Sequence, residues 1–207
     1  MDKSVGNPNG ITMPPLYNQR AGHMWDIISQ HVDFKGKSVI DLGCGHGDLL
    51  VRAYAAGATH LFGYDKDLDA LNDTRQKLES IQAVLNTGKV YLEQCDMVSV
   101  ECQKDWKSIH CDIAICCSVL PYLQYYPIYP DTLSFPSGIL KLMFDNAPLS
   151  IIECQYAGDG PGFNSIPDDI IMGVWLENAA GWSTVTPIGK TFVEGRDKWR
   201  TIWKCER

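Results

Sequence analysis

The stretch that most constrains this chain is residues 38–50, Ser-Val-Ile-Asp-Leu-Gly-Cys-Gly-His-Gly-Asp-Leu-Leu. Its apolar run from Val39 to Leu42 reads as a buried strand, glycines at 43, 45 and 47 make a turn, and a helix begins at Asp48. A turn of this kind lets backbone N–H groups and a helix N-terminus come close to a ligand, because glycine has no side chain in the way. Asp65 stands about twenty positions after Gly43, at the end of a second apolar run, where a carboxylate can accept both hydroxyls of a ribose.

Two cofactor classes suit that arrangement, a dinucleotide such as NAD and S-adenosylmethionine. The dinucleotide fingerprint is G-x-G-x-x-G, with a diphosphate on the helix N-terminus. Here the spacing is G-x-G-x-G, and Asp41 precedes the first glycine by two residues. A carboxylate there repels a diphosphate and attracts a sulfonium or an α-ammonium group. The residues therefore favour S-adenosylmethionine, and a dinucleotide oxidoreductase is the weaker alternative.

Apolar periodicity gives alternating elements across the chain. Helices are expected at Arg20–His31, Asp48–Ala56, Leu68–Leu85 and Asp168–Ala179, with Gly181 as a C-cap. Strands are expected at Lys37–Leu42, His60–Tyr64, Lys89–Gln94, Cys111–Cys116, Leu149–Cys154, Gly181–Pro187 and Lys198–Cys205. This order predicts an α/β fold with a seven-stranded, mostly parallel, doubly wound sheet, helices on both faces and a final antiparallel strand. In such sheets the ligand lies beyond the carboxyl ends of the strands, where the informative residues fall.

The 207 residues suit a single domain over 20–207, preceded by a flexible Gly-, Asn- and Pro-rich segment over 1–19. Ordinary apolar (45%) and charged (21%) fractions place the chain among globular proteins. No apolar run is long enough to span a membrane and no secretory h-region opens the chain, so a cytoplasmic location is expected. Cys95, Cys111, Cys116, Cys117, Cys154 and Cys205 lie in strand-like runs and are read as small buried hydrophobes of a reducing compartment. Scattered histidines and the lack of C-x-x-C pairs leave no expected metal site.

On these residues the chain resembles the class I S-adenosylmethionine-dependent methyltransferases, whose fold is Rossmann-like. The family's glycine motif corresponds to residues 39–47, which places Asp41, Gly43, Cys44 and Gly45 at the cofactor. Its ribose-binding acid matches Asp65 in Phe62-Gly63-Tyr64-Asp65-Lys66, and its adenine-binding acid matches Asp96 in Gln94-Cys95-Asp96-Met97. Lys66 and Met97 would flank the adenine. Cys117 and Ser118, after strand four, fall where the family's backbone faces the methionine end. In similar enzymes an N-terminal segment covers the cofactor, which here means Tyr17 and Arg20, with Arg20 pairing with the cofactor carboxylate. The resemblance is strong over about 37–120 and rests on element order over 148–205.

Methyl transfer is an in-line displacement at an already activated carbon, so positioning and removal of water carry most of it. A general base is needed only when the acceptor must lose a proton early; the candidates are Glu153 and Tyr122, followed by Tyr156 and Asp159. The Asn/Asp-Pro-Pro-Tyr/Phe tetrapeptide is absent after strand four, where Cys117-Ser118-Val119-Leu120 stands, which argues against amino-directed DNA methylation. The absence of a Pro-Cys dipeptide argues against cytosine-C5 chemistry. Residues 121–170, and the insert at 121–147 above all, are rich in Tyr, Phe and Pro and carry a net charge of −5, which suits a small neutral or cationic acceptor. The whole-chain charge of −7 disfavours a nucleic-acid partner. A basic C-terminus, net +3 over 190–207, is the feature on the other side; Trp199, Thr201 and Trp203 there are expected to pack one face of the last strand. An RNA or nucleotide methyltransferase and a non-catalytic S-adenosylmethionine-binding regulator are the alternatives.

Overall fold

The central parallel strands of this chain bury both of their faces, and the computed structural model shows how. It describes residues 12–81, 89–97, 99, 102, 106–120, 134–154, 169–194 and 198–207. The elements run α1 (Gln19–Ile28), β1 (Ser38–Leu42), α2 (Asp48–Ala55), β2 (His60–Asp65), α3 (Leu68–Ser80), β3 (Val90–Gln94) and β4 (Ile113–Cys117). They continue as α4 (Ser134–Asn146), β5 (Leu149–Cys154), α5 (Asp169–Ala180), β6 (Thr184–Val193) and β7 (Lys198–Glu206). The strands form one sheet in the order β3-β2-β1-β4-β5-β7-β6. β1 to β5 are mutually parallel, and β7 runs antiparallel between β5 and β6. The expected doubly wound sheet with a final antiparallel strand is present.

The two faces of the sheet hold two cores, as a sheet covered on both sides requires. Trp25, Ile28, Phe34, Leu50, Leu71 and Ile115 belong to the core beneath α1, α2 and α3. Trp106, Leu140, Met143, Leu176 and Trp203 belong to the core beneath α4 and α5. α1 starts where Asn18 accepts the N–H of Ala21 at 2.9 Å, and α3 starts where Asp67 accepts from Asp69 and Ala70. Gly181 ends α5 with φ 93° and donates its N–H to Glu177 O, as a C-cap glycine does.

Several expectations are corrected. The insert at 121–147 is read without a helix, yet it contains α4, with Pro136 near its start. That proline falls in the first turn, where its missing N–H has no helical partner to lose. β6 extends past Pro187 to Val193, with a bulge between Pro187 and Gly189; an outermost strand accommodates proline. α3 ends at Ser80, short of Leu85, and residues 82–88 lie outside the described ones. Cys95 is not a free buried thiol but is disulfide-bonded to Cys102. Cys111, Cys116, Cys117 and Cys205 are buried and free, as read, and the side chain of Cys154 lies outside the described residues. Burial pushes the Cys111 thiol up to about 12, so it stays protonated and inert. No helix among the described residues is long and apolar enough to cross a membrane.

Candidate functional site

The glycine turn joins the ends of β1 and β2 through its backbone. Gly43 N–H and Cys44 N–H both donate to Tyr64 O, at 2.7 and 3.0 Å, and Gly45 N–H donates to Asp65 Oδ2 at 2.8 Å. The other oxygen of Asp65 accepts the N–H of Asp67 at 2.9 Å, so the carboxylate is fixed at the end of β2. Two glycines of the turn have different duties. At Gly43, with φ 79°, an added Cβ would stand 2.3 Å from Val119 and 3.3 Å from Met97, so the turn is wedged against residues that follow β4 and β3. At Gly45, with φ 52°, an added Cβ would meet nothing within 4 Å. The backbone there borders open space, as a turn that receives a ligand must.

Asp41 lies under this turn, on β1, and is only 3% exposed. Burial, with the nearby Asp65 charge adding to it, raises its carboxyl from 3.8 to about 8. Such a group gains from a cation placed beside it. Cys95 N–H donates to Asp65 O at 2.8 Å, which brings Asp96 and Met97, after β3, next to the end of β2. Met97 is buried against the turn, while Lys66 is exposed and its carbonyl accepts from Gln94 Nε2 at 3.0 Å. Asp41, Gly43, Cys44, Gly45, Asp65, Lys66, Asp96 and Met97 thus share one end of the sheet.

A second cluster forms at the ends of β4, β5, β6 and β7. Glu153 is fully buried at the end of β5. Its Oε1 is paired with Arg20 Nη2 and accepts from Thr191 Oγ1 at 2.6 Å; its Oε2 accepts from Ser118 Oγ at 2.7 Å and lies 3.7 Å from Arg200 Nη1. Arg20 Nη1 also donates to Ser118 Oγ at 2.9 Å, and Arg20 Nε is buried without a hydrogen-bond partner. Ser118 holds φ 66°, a left-handed conformation that non-glycine residues adopt at a cost, and three neighbours of its hydroxyl fix it there. Two guanidinium groups face one carboxylate, so the cluster carries net positive charge opposite Asp41 and Asp65. Cys117, buried beside it, is kept protonated by burial and by the Glu153 charge.

Tyr17 and its neighbours tie the N-terminal segment to the turn. Tyr17 N–H donates to the Asp48 carboxylate at 3.0 Å, and its ring stacks on His46 with centroids 3.4 Å apart. His46 Nδ1 lies 3.0 Å from Asp73, and Lys77 bonds Asp48 at 2.9 Å. His46 had no role in the sequence reading; here it holds the segment that carries Arg20. Thr191 and Arg200 were also missed, since β6 and β7 offer no motif and only the sheet order brings them to Glu153. Tyr122, Tyr156 and Asp159 lie outside the described residues, as do residues 121–133 of the insert and residues 155–168. Among the described residues no cluster of His, Cys, Asp and Glu could hold a metal.

Residues 33–159 match a family described as a methyltransferase domain. A tRNA U34 carboxymethyltransferase of Pseudomonas paraeruginosa is 31% identical over 35% of this chain and 29% of its own length. A ribosomal protein L11 methyltransferase of Vibrio campbellii is 40% identical over 31% of this chain and 22% of its own. The chain thus spans less than a third of the curated relatives it matches. Among solved structures, magnesium protoporphyrin IX methyltransferase of Synechocystis PCC 6803, with bound S-adenosylmethionine, shares the fold. Its TM-score is 0.60 at 20% identity, covering 91% of this chain and 78% of that one. The bifunctional kinase-methyltransferase WbdD gives a TM-score of 0.64 at 18% identity, covering 93% of this chain and 40% of that one.

Proposed function

The chain belongs to the class I S-adenosylmethionine-dependent methyltransferase family, and from that premise we propose that it transfers a methyl group from this cofactor to a small-molecule or peripheral acceptor. The observation that carries the reading is the pairing of a buried carboxyl at Asp41 with an open backbone at Gly45 and a fixed carboxylate at Asp65. When bound, S-adenosylmethionine supplies a methyl group already activated on a sulfonium. Asp65 would hold the ribose hydroxyls, Asp96 and Met97 the adenine, and Asp41 the cationic end. The amino-acid end is a zwitterion, and the protein offers it opposite charges: Asp41 for the ammonium, and the arginine cluster for the carboxylate. Cys44, Cys117 and Ser118 line the path between them, and Tyr17 closes over the turn.

Glu153 in this reading is a positioning residue. Its carboxylate is occupied by Arg20, Arg200, Thr191 and Ser118, which suits it to aim Arg20 rather than to take a proton from an acceptor. Catalysis then rests on alignment and exclusion of water. The tRNA enzyme among the relatives makes an RNA acceptor the second reading. Against it, three of the six cations of the basic C-terminus are spent internally: Lys190 on Asp169, Arg200 on Glu153 and Lys204 on Glu206. A cytoplasmic location fits the five buried free thiols among the described residues, though not the Cys95–Cys102 bond.

Calorimetric titration with S-adenosylmethionine, S-adenosylhomocysteine and NAD tests the proposal. Both adenosyl ligands should bind, NAD should not, and Asp65→Ala should lower adenosyl affinity by about a hundredfold or more, since two buried hydroxyl partners and two backbone donors lose their acceptor. Native protein that ignores both adenosyl ligands would sink the reading, and binding without turnover across acceptors would leave a regulator.

A further inference from the structure

Resting on the methyl-transfer reading, we propose that the groove between α1 and the far end of the β6–β7 hairpin is the acceptor site, and that its acceptor is a small aromatic amine. α1 and the hairpin touch at Gly189, where an added Cβ would stand 2.7 Å from Ile27. From that contact they part around a groove whose lining includes His23, Asp26, Phe192, Glu194 and Trp199. Arg20 and Thr191 also line it, and both bond Glu153 at the end of β5, so the groove reaches the strand ends where the transferred group would lie.

The walls indicate the chemistry. β7 is buried from Arg200 to Trp203, yet Trp199 is 58% exposed; its cross-strand partner Phe192 is 37% exposed, with ring centroids 5.3 Å apart. Trp199 therefore does not pack on the strand face as Thr201 and Trp203 do, and the sequence expectation is corrected for that residue alone. An aromatic pair left open beside a polar groove is a surface for a flat ring. Charge selects among flat rings. Of the cations in the lining, Arg20 is committed to Glu153 and Lys190 to Asp169. The acidic groups left among the described lining residues are Asp26 and Glu194, beside His23. Two carboxylates and two ring faces favour a protonated or neutral amine and repel an acidic ring.

The test uses the full chain saturated with S-adenosylhomocysteine and two probes with the same ring and opposite charge, tryptamine and indole-3-acetate, titrated by calorimetry. Tryptamine should bind at least about tenfold more tightly than indole-3-acetate, and Trp199→Ala should weaken it by about tenfold or more. Asp26→Asn combined with Glu194→Gln should bring the two affinities to within about threefold of each other. All three replacements are at the surface, and an unchanged affinity for S-adenosylhomocysteine in each variant shows that the fold stands. Tryptamine that fails to bind, binds no better than the acid, or ignores Trp199→Ala overturns the assignment of groove and acceptor. In those cases intact S-adenosylhomocysteine binding leaves the methyltransferase reading in place; loss of that binding in the native chain removes the reading itself.

Discussion

The ends of β1, β2 and β3 and the ends of β4, β5, β6 and β7 make two halves of one site by different means. The first half is mostly backbone: Gly43, Cys44 and Gly45 donate N–H groups to Tyr64 and Asp65, and the open space lies against Gly45. The second half is side chain on side chain, with Glu153 held by residues from α1, β6, β7 and the turn after β4. Backbone recognition depends on a few residues close in sequence. A side-chain cluster depends on the whole sheet being assembled. Damage to the halves should therefore differ in kind, with the first losing ligand and the second losing stability.

The largest effect is expected at the second half. Glu153→Ala leaves a buried guanidinium at Arg200 and a partly buried one at Arg20 without their shared carboxylate, and should cost about 3–5 kcal/mol of folding stability in urea denaturation. Glu153→Gln keeps the shape and hydrogen-bonding capacity and should cost less. Equal losses in the two variants would mean that the charge of Glu153 alone holds the cluster and that its shape adds nothing.

The turn offers a paired test within the first half. Gly43→Ala forces a Cβ into Val119 at a positive φ and should destabilise the protein by about 3 kcal/mol, since strain and overlap add. Gly45→Ala meets no neighbour and should cost about 1 kcal/mol for its φ alone, yet lower affinity for S-adenosylhomocysteine by about tenfold. If Gly45→Ala binds normally, the ligand does not approach the turn at that point.

Asp41 makes the contrast pH-dependent. Its carboxyl titrates near 8 in the folded protein against 3.8 as the ordinary value, so the folded state holds a proton that the unfolded chain gives up. Stability from this group is full below about pH 4 and is lost as pH rises through about 8. Asp41→Asn should remove that slope and raise stability at pH 8 by about 2 kcal/mol or more. Ligand binding should move the other way. The ammonium favours the charged carboxylate, so affinity should climb with pH toward 8 and binding should release a proton, seen as a dependence of binding heat on buffer ionisation. The Asn variant should bind weakly at every pH and release none. A stable variant with full affinity would separate Asp41 from the cofactor.

The same division decides what can be read from the sequence. Asp41, Gly43, Gly45, Asp65 and Asp96 are legible because each lies in or just after a strand at a short fixed spacing, and local spacing survives without knowledge of the fold. The alternation of apolar runs also gives the sheet and its antiparallel last strand. Thr191 and Arg200 are not legible: they sit opposite each other on a hairpin without any motif, and meet Glu153 only because β7 inserts between β5 and β6. α4 lies inside the Pro-rich insert, where its proline proves harmless in a first turn, and the Cys95–Cys102 bond is hidden by thiols that resemble ordinary buried ones. Trp199 and Trp203 show the limit well. They share a strand and a parity, yet one is exposed and the other buried, because the sheet cover ends between them.

The smallest effect is expected where the halves are joined. Residues 17–20 touch both: Tyr17 donates to Asp48 and stacks on His46 in the first half, Asn18 caps α1, and Arg20 reaches Glu153 in the second. The stack is at the surface, with Tyr17 62% exposed, so its own stabilisation is modest. A double-mutant cycle on Tyr17→Ala and His46→Ala should give a coupling of about 0.5–1 kcal/mol. Tyr17 N–H still donates to Asp48 when the ring is removed, so Tm should hardly move. What should move is affinity for S-adenosylhomocysteine, by about two- to fivefold, because Arg20 is then held at one end only and spends less time aimed at the carboxylate. Loss of affinity in Tyr17→Ala that disappears in an Arg20→Ala background would show that the ring acts through the arginine. Loss that persists there would place the ring itself against the ligand, and the segment would then cover the site rather than link its halves.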